Sequence, residues 1–141
     1  MTLKVNKAEV WSATIDDRAG GVADKLEPLS KAGANFEFVL ARRTPEQPGS
    51  GVIYVTPVKG LKVIHAAQAV GLAKTTTMHS LRVEGSDRPG TTAQVTRALG
   101  SAGVSFRGLC AIAVGNKFVS FLAFDSAEDA TKAAGRLRKL G

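Results

Sequence analysis

Two segments of this chain combine residue types that can hold an anion. Asp17-Arg18-Ala19-Gly20-Gly21 and Asp87-Arg88-Pro89-Gly90-Thr91 each lie between an alternating apolar stretch and a helical pattern, so each reads as a turn joining a strand to the start of a helix. Such a turn presents free backbone N–H groups next to the positive end of the helix dipole, and glycine lets a ligand come close to the backbone. A carboxylate or a phosphate fits there. The plainer reading is that Gly and Pro only make the turn and Asp caps the helix. Finding Asp-Arg-x-Gly twice, in the same context, moves the balance toward binding.

The remaining chemistry-bearing residues are less persuasive. His65 falls in a helical pattern and His79 at a strand junction, and neither has a serine or cysteine nucleophile motif around it. Cys110 is the single cysteine, which excludes an internal disulfide, and its apolar surroundings read as a small core residue. With two histidines and one cysteine there is little material for a zinc site, and neither a metal nor a cofactor is expected. Arg18 with Asn35 superficially matches the phosphate-handling pair of an acylphosphatase-like hydrolase, but Asp16 and Asp17 would repel a phosphate and the second turn is followed by Ser105 instead of Asn.

The elements that position the turns are set by an internal repeat. Asp17-Arg18-Ala19-Gly20 recurs as Asp87-Arg88-Pro89-Gly90, an offset of 70 (87 − 17), and the same offset pairs Ala23 with Ala93, Leu29 with Leu99, Ala32-Gly33 with Ala102-Gly103, Phe36 with Phe106 and Ala41 with Ala111. That is nine identities over 25 ungapped positions, where chance gives roughly one or two. Each copy begins with a strand whose alternate residues, Trp11, Ala13 and Ile15 or Leu81, Val83 and Gly85, should face inward. A helical stripe follows: Val22, Leu26 and Leu29, then Thr92, Val95, Leu99 and Ala102 in the second copy. Pro28 interrupts the first stripe, at a cost of about 3 kcal/mol if the helix does not adapt. Gly33 and Gly103 sit where a helix end wants a left-handed residue.

Two strands per copy come next, over 35–42 with 52–56 and 105–114 with 118–124. The first pair is joined by the Pro/Gly-rich loop 44–51 and the second by a tight hairpin at Gly115-Asn116-Lys117. A closing helix spans 60–71 and 127–139, the latter with Asp125 and Ser126 as alternative caps. Residues 74–78, including the run Thr75-Thr76-Thr77, read as a strand completing the first copy as β-α-β-β-α-β, the split pattern of a ferredoxin-like sandwich. The second copy has no such segment after its last helix. Residues 3–7 align with 73–77 at the offset of 70 and are expected to supply it. The division is then 1–73 for the first unit and 74–141 for the second, with strand 74–78 in the first unit's sheet and strand 3–7 in the second's.

Composition bounds the function. Hydrophobic residues are 44% and charged residues 22% of the 141, a mix that builds a buried core. No apolar run approaches a membrane span, and the start, Met1-Thr2-Leu3-Lys4-Val5-Asn6-Lys7, has no apolar stretch of signal-peptide length. A cytoplasmic protein without membrane contact is expected. The net charge of +7 would suit nucleic acid, and ferredoxin-like sheets can bind RNA through stacked aromatics. Aromatics are only 6%, however, and no basic-Gly-aromatic signature lies in the strands. An RNA-binding module is therefore an alternative, not the preferred reading.

The segment from Asp87-Arg88-Pro89-Gly90-Thr91-Thr92 through Leu99 to Ala102-Gly103-Val104-Ser105-Phe106 resembles the first strand-loop-helix of ACT domains, small modules that bind amino acids. The first copy departs from the motif, with Ala19 in place of Pro and an added Gly21. With the repeat, the resemblance covers nearly the whole chain and looks like a stand-alone tandem ACT protein. It implies an α+β fold of two ferredoxin-like units packed edge to edge, with antiparallel sheets and helices on one face. It also implies an amino-acid-binding regulatory or sensor protein without catalysis of its own, a homodimer, and an enzyme or regulator that receives the signal. Carried over by position, the ligand's α-carboxylate and amine would meet Asp17, Arg18, Ala19, Gly20, Gly21 and Val22, or Asp87, Arg88, Pro89, Gly90, Thr91 and Thr92. Asn35 and Glu37, or Ser105 and Arg107, at the start of the second strand, would add side-chain contacts. Those two pairs differ in charge, so one site alone could bind, or each could prefer its own ligand.

Overall fold

The computed structural model describes residues 2–140. In order, the elements are β1 (Lys4–Ala8), β2 (Trp11–Asp16), α1 (Gly21–Lys31), β3 (Phe38–Arg43), β4 (Ser50–Thr56), α2 (Leu61–Ala69), β5 (Ala73–Lys74), β6 (His79–Ser86), α3 (Thr91–Ser101), β7 (Gly108–Val114), β8 (Lys117–Phe124) and α4 (Ala127–Arg138). They form two compact units: one is Glu9–Thr75, and the other joins the chain up to Ala8 with Thr76 onward. For brevity the first is the inserted unit and the second the outer unit.

The sheets are four-stranded and antiparallel, in the orders β3-β4-β2-β5 and β1-β6-β8-β7. This is the ferredoxin-like strand order in both units, with β1 occupying in the outer unit the edge that β5 occupies in the inserted one. The exchange follows from alternation: Leu3 and Val5 are buried while Lys4, Asn6 and Lys7 are exposed, so the N-terminal strand offers one apolar face to a core. It pairs with β6 over five positions, Lys4 with Glu84 through Ala8 with Ser80.

Each unit has its own core against one face of its sheet. In the inserted unit Trp11, Ile15, Ile53 and Val55 from the strands meet Leu29, Val63 and Ala67 from the helices. In the outer unit Leu3, Val5, Leu81, Val83, Phe118, Leu122 and Phe124 meet Val95, Leu99, Ala130, Ala133 and Leu137. The stripe expected on α3 needs one correction, because Thr92 is exposed and Thr91 is the buried residue of that turn. Helix α1 runs through Pro28 to Lys31. The carbonyl deprived of a donor there is that of Asp24, which belongs to an exposed residue and can be solvated.

Helix ends match expectation closely. Gly33 (φ +104°) and Gly103 (φ +72°) are left-handed, and Ala34 N–H donates to Leu29 O as Val104 N–H does to Leu99 O, both 2.9 Å, closing the same Schellman-type end. Of the two cap candidates for α4, Ser126 is the cap: its Oγ accepts from Asp129 N–H at 3.0 Å. Gly115 (φ +61°) opens the two-residue turn between β7 and β8.

Three expected strands are shorter than the sequence suggested. The 74–78 strand is reduced to Ala73–Lys74, paired with Ser12 and Trp11. The threonine run lies outside it, with Thr75 bonded through both N–H and Oγ1 to Val10 O. Strands β3 and β7 begin at Phe38 and Gly108, three residues later than expected, because the helix-end turns leave 34–37 and 104–107 as connectors. Cys110 is exposed and not in a core, since β7 is an edge strand whose residues after Gly108 are all exposed.

Candidate functional site

Both Asp-Arg-x-Gly turns are built alike. Gly20 (φ +86°, ψ −8°) and Gly90 (φ +87°, ψ 0°) are the N-cap residues of α1 and α3, and no side chain caps either helix. Gly21 N–H donates to Arg18 O at 3.1 Å and Thr91 N–H to Arg88 O at 3.2 Å; Asp24 N–H and Gln94 N–H then donate to Gly20 O and Gly90 O, each at 2.9 Å. The intervening N–H groups, of Val22 and Ala23 and of Thr92 and Ala93, stand at an open helix start, where no intrahelical acceptor exists. This is the arrangement that receives an anion. Gly20 and Gly90 cannot be replaced without strain because only glycine adopts their φ freely.

The aspartates do not cap the helices. Asp17 accepts from Arg43 Nε at 2.5 Å, and its N–H donates to Gly49 O at 3.0 Å, tying the turn to the β3–β4 loop. Asp87 N–H donates to Asn116 O at 2.9 Å, the equivalent tie to the β7–β8 turn. Position 21 differs between the units. A Cβ on Gly21 would lie 2.3 Å from Asp16 O, whereas Thr91 is accommodated, with its Oγ1 donating to Arg88 O at 2.9 Å. Arg18 hydrogen-bonds Asp24, and that bond first, then the charge of Asp24, raises its guanidinium above its usual range.

The connector residues lie elsewhere in each unit. Asn35 and Glu37 follow the C-terminal end of α1, whereas the Asp17–Val22 turn precedes its N-terminal end. The 11 residues of the helix span about 16 Å. The same holds for Ser105 and Arg107 against the Asp87–Thr92 turn across α3. Within one unit, then, turn and connector do not share a cavity. Arg107 is engaged locally, donating to Thr77 O at 3.0 Å with Asp125 at 3.5 Å. Arg18 and Asn35 likewise sit at opposite ends of α1, which removes the geometry a phosphate hydrolase would need. His65 is exposed on α2 and His79 half-buried at the start of β6. Among the described residues no cluster of three or more His, Cys, Asp or Glu could hold a metal, and no helix is long and apolar enough to cross a membrane.

One feature escaped sequence reading. Strand β7, Gly-Leu-Cys-Ala-Ile-Ala-Val, ends its sheet with both faces exposed, Ile112 at 59% and Val114 at 61%. A seven-residue apolar edge without a charge is an open template for strand pairing. The apolar run was visible in the sequence, but its edge position was not.

No family model matches the chain, and no curated protein sequence does. Solved structures do. Protein BT0572 from Bacteroides thetaiotaomicron superposes with a TM-score of 0.76 at 16% identity, covering 96% of this chain and 99% of that one. The regulatory subunit of aspartate kinase from Thermus thermophilus, in its ligand-free form, gives 0.68 at 14% identity, covering 99% and 96%. That from Thermus flavus gives 0.65 at 15%, covering 99% and 96%. Likeness at this identity is a likeness of fold, and the fold shared is a tandem of two ferredoxin-like α+β units.

Proposed function

We propose that this protein is a non-catalytic regulator that binds a free amino acid at its Asp-Arg-x-Gly turns and passes the signal to an enzyme or regulator in the cytoplasm. The observation that carries the reading is the repeated turn itself: a left-handed glycine cap, no side-chain cap, and two outward N–H groups at each helix start. A zwitterion matches this, because its carboxylate takes the N–H groups and the positive end of the helix dipole. The fold shared with regulatory subunits of aspartate kinase supports the same role.

A homodimer completes the site. Asp87–Thr92 lies at the end of the outer unit's sheet where β7 finishes, tied to Asn116, while Ser105 and Arg107 lie where β7 begins. Two copies joined antiparallel through β7 would bring the connector of one chain beside the turn of the other, and would pair the open backbone edge of β7.

A thermal-shift panel of the twenty amino acids, with nucleotides and inorganic phosphate alongside, tests the reading. A ligand at 100 times its dissociation constant stabilises the folded state by about 2.7 kcal/mol, a shift of several degrees. Gly90→Val should remove the shift while the fold persists, since a Cβ there meets open space and only φ is strained. A shift with phosphate or nucleotide alone would instead favour the RNA-binding alternative.

A further inference from the structure

The two turns carry the same arginine and give it opposite surroundings. Arg18 hydrogen-bonds Asp24 and has Asp16 at 3.7 Å. At the offset of 70, Arg88 has Gln94 in place of Asp24 and Ser86 in place of Asp16, and Arg97 stands where Glu27 stood. Two carboxylates on the outward face of α1 thus become an amide and a second guanidinium on α3. No ion pair is made by Arg88 or Arg97 among the described residues.

Both helix starts border a groove, and the grooves differ in the same sense. That of the inserted unit is about 290 Å³ and includes Asp16, Asp24, Arg18 and Lys25, two charges of each sign, with Lys25 Nζ also donating to Val70 O at 2.5 Å. That of the outer unit is about 680 Å³ and is lined by Arg88, Gln94 and Arg97 with Pro89, Ala93, Ala98 and Leu140, with no acid among the described residues. Its size falls within the usual range for small-molecule sites. Among the described residues Arg88 thus lacks the internal carboxylate that Arg18 has in Asp24.

We infer that the Arg88–Gln94–Arg97 groove binds the side-chain carboxylate of an acidic ligand, so that the outer unit's turn takes a dicarboxylic amino acid while in the inserted unit Arg18 is already engaged by its own Asp24. The inference rests on the amino-acid reading above and adds the ligand's class and the unit that binds it. The α-carboxylate and amine remain with the turn. The two guanidiniums discriminate an acid from its amide, because charge-assisted bonds to a carboxylate are about twice as strong as neutral ones.

Calorimetric titration of the full chain with L-aspartate, L-glutamate, L-asparagine, L-glutamine and succinate, at constant ionic strength, tests it. The acidic amino acids should bind roughly tenfold or more tightly than their amides. Gln94→Asp, which gives Arg88 the internal carboxylate that Arg18 has, and Arg97→Gln should each weaken acidic binding by roughly tenfold or more. Lys132→Gln, an equal charge change at an exposed position of α4, should leave it unchanged. If amides bind as well as acids and Gln94→Asp is silent, the groove assignment falls and the amino-acid reading stands. If no amino acid binds but succinate does, and Gln94→Asp abolishes it, the amino-acid reading falls and the carboxylate groove stands. No binding by any of the five overturns both.

Discussion

Ile15 on β2 stands opposite Gly51 on β4, and the corresponding cross-strand pair of the other unit is reversed, Gly85 on β6 opposite Phe118 on β8. In each unit one large residue fills the end of the core and the strand beside it has no side chain there. The outer unit adds Leu3, whose Cδ2 would lie 2.7 Å from a Cβ on Gly85. The two units thus fill the same end of the core with different residues, as close packing allows.

Gly51→Ala should destabilise the inserted unit by about 1–3 kcal/mol. Its Cβ would sit 2.6 Å from Arg42 O and 3.1 Å from Ile15 Cγ1, and a backbone carbonyl within a paired strand has little freedom to withdraw. Gly85→Ala should cost less, since its nearest neighbour is the end of a side chain, and the cost should shrink further in a Leu3→Ala background. Urea unfolding of the two single variants and the double variant measures both effects; equal costs for the two glycines would contradict the argument.

Leu3→Ala should cost about 2–4 kcal/mol. Leu3 is 5% exposed and belongs to the outer unit's core with Val5. Amide exchange should show the effect at β6, which β1 covers, and leave β2 and β4 protected. Loss spread evenly over both units would instead mean that they unfold as one.

The supply of β1 to the outer unit was legible because the offset of 70 aligns residues 3–7 with 73–77 and because Leu3 and Val5 alternate with polar residues. The helix ends were legible because glycine at positions 33 and 103 has a local reason to be there. Strand length was not, because the last strand of the inserted unit ends where Thr75 turns to bond Val10, a tertiary contact 65 residues away. The site divides in the same way. The turns follow from Asp-Arg-x-Gly, but the Arg18–Asp24 pair and its absence at Arg88 needed the helix to place position 24 over position 18. Lys25 is the reverse case: at the offset of 70 it occupies the place of buried Val95, yet it is half-buried with its Nζ donating to Val70 O.

Ser120→Ala should stabilise the protein by about 1 kcal/mol. Ser120 is 1% exposed on the core face of β8 and its hydroxyl has no hydrogen-bond partner among the described residues. Counted through the hairpin registers, it takes the place of Ile53 in the inserted unit's core. Ser120→Val should do as well or better if the neighbouring side chains leave room for two methyl groups. A lowered midpoint for Ser120→Ala would indicate that the hydroxyl is satisfied after all, for instance by an ordered water.

Acid should unsettle the outer unit through Glu84. Its carboxylate accepts from Arg82 at 2.6 Å and from Lys117 at 3.2 Å, and these hydrogen bonds, Arg82 first, lower it below its ordinary value of 4.5. A carboxyl group lowered by folding contributes stability that is fully present above its unfolded value and is lost as pH falls through the folded one. The contribution should therefore be intact at neutral pH and disappear on acidification below about 4.5. It should be modest and reduced by salt, because the cluster is solvent-facing. Denaturation midpoints from pH 7 to pH 3 should fall less steeply for Glu84→Gln than for the unaltered protein, with the two curves converging at the acid end. Parallel curves would assign the acid sensitivity to another carboxylate.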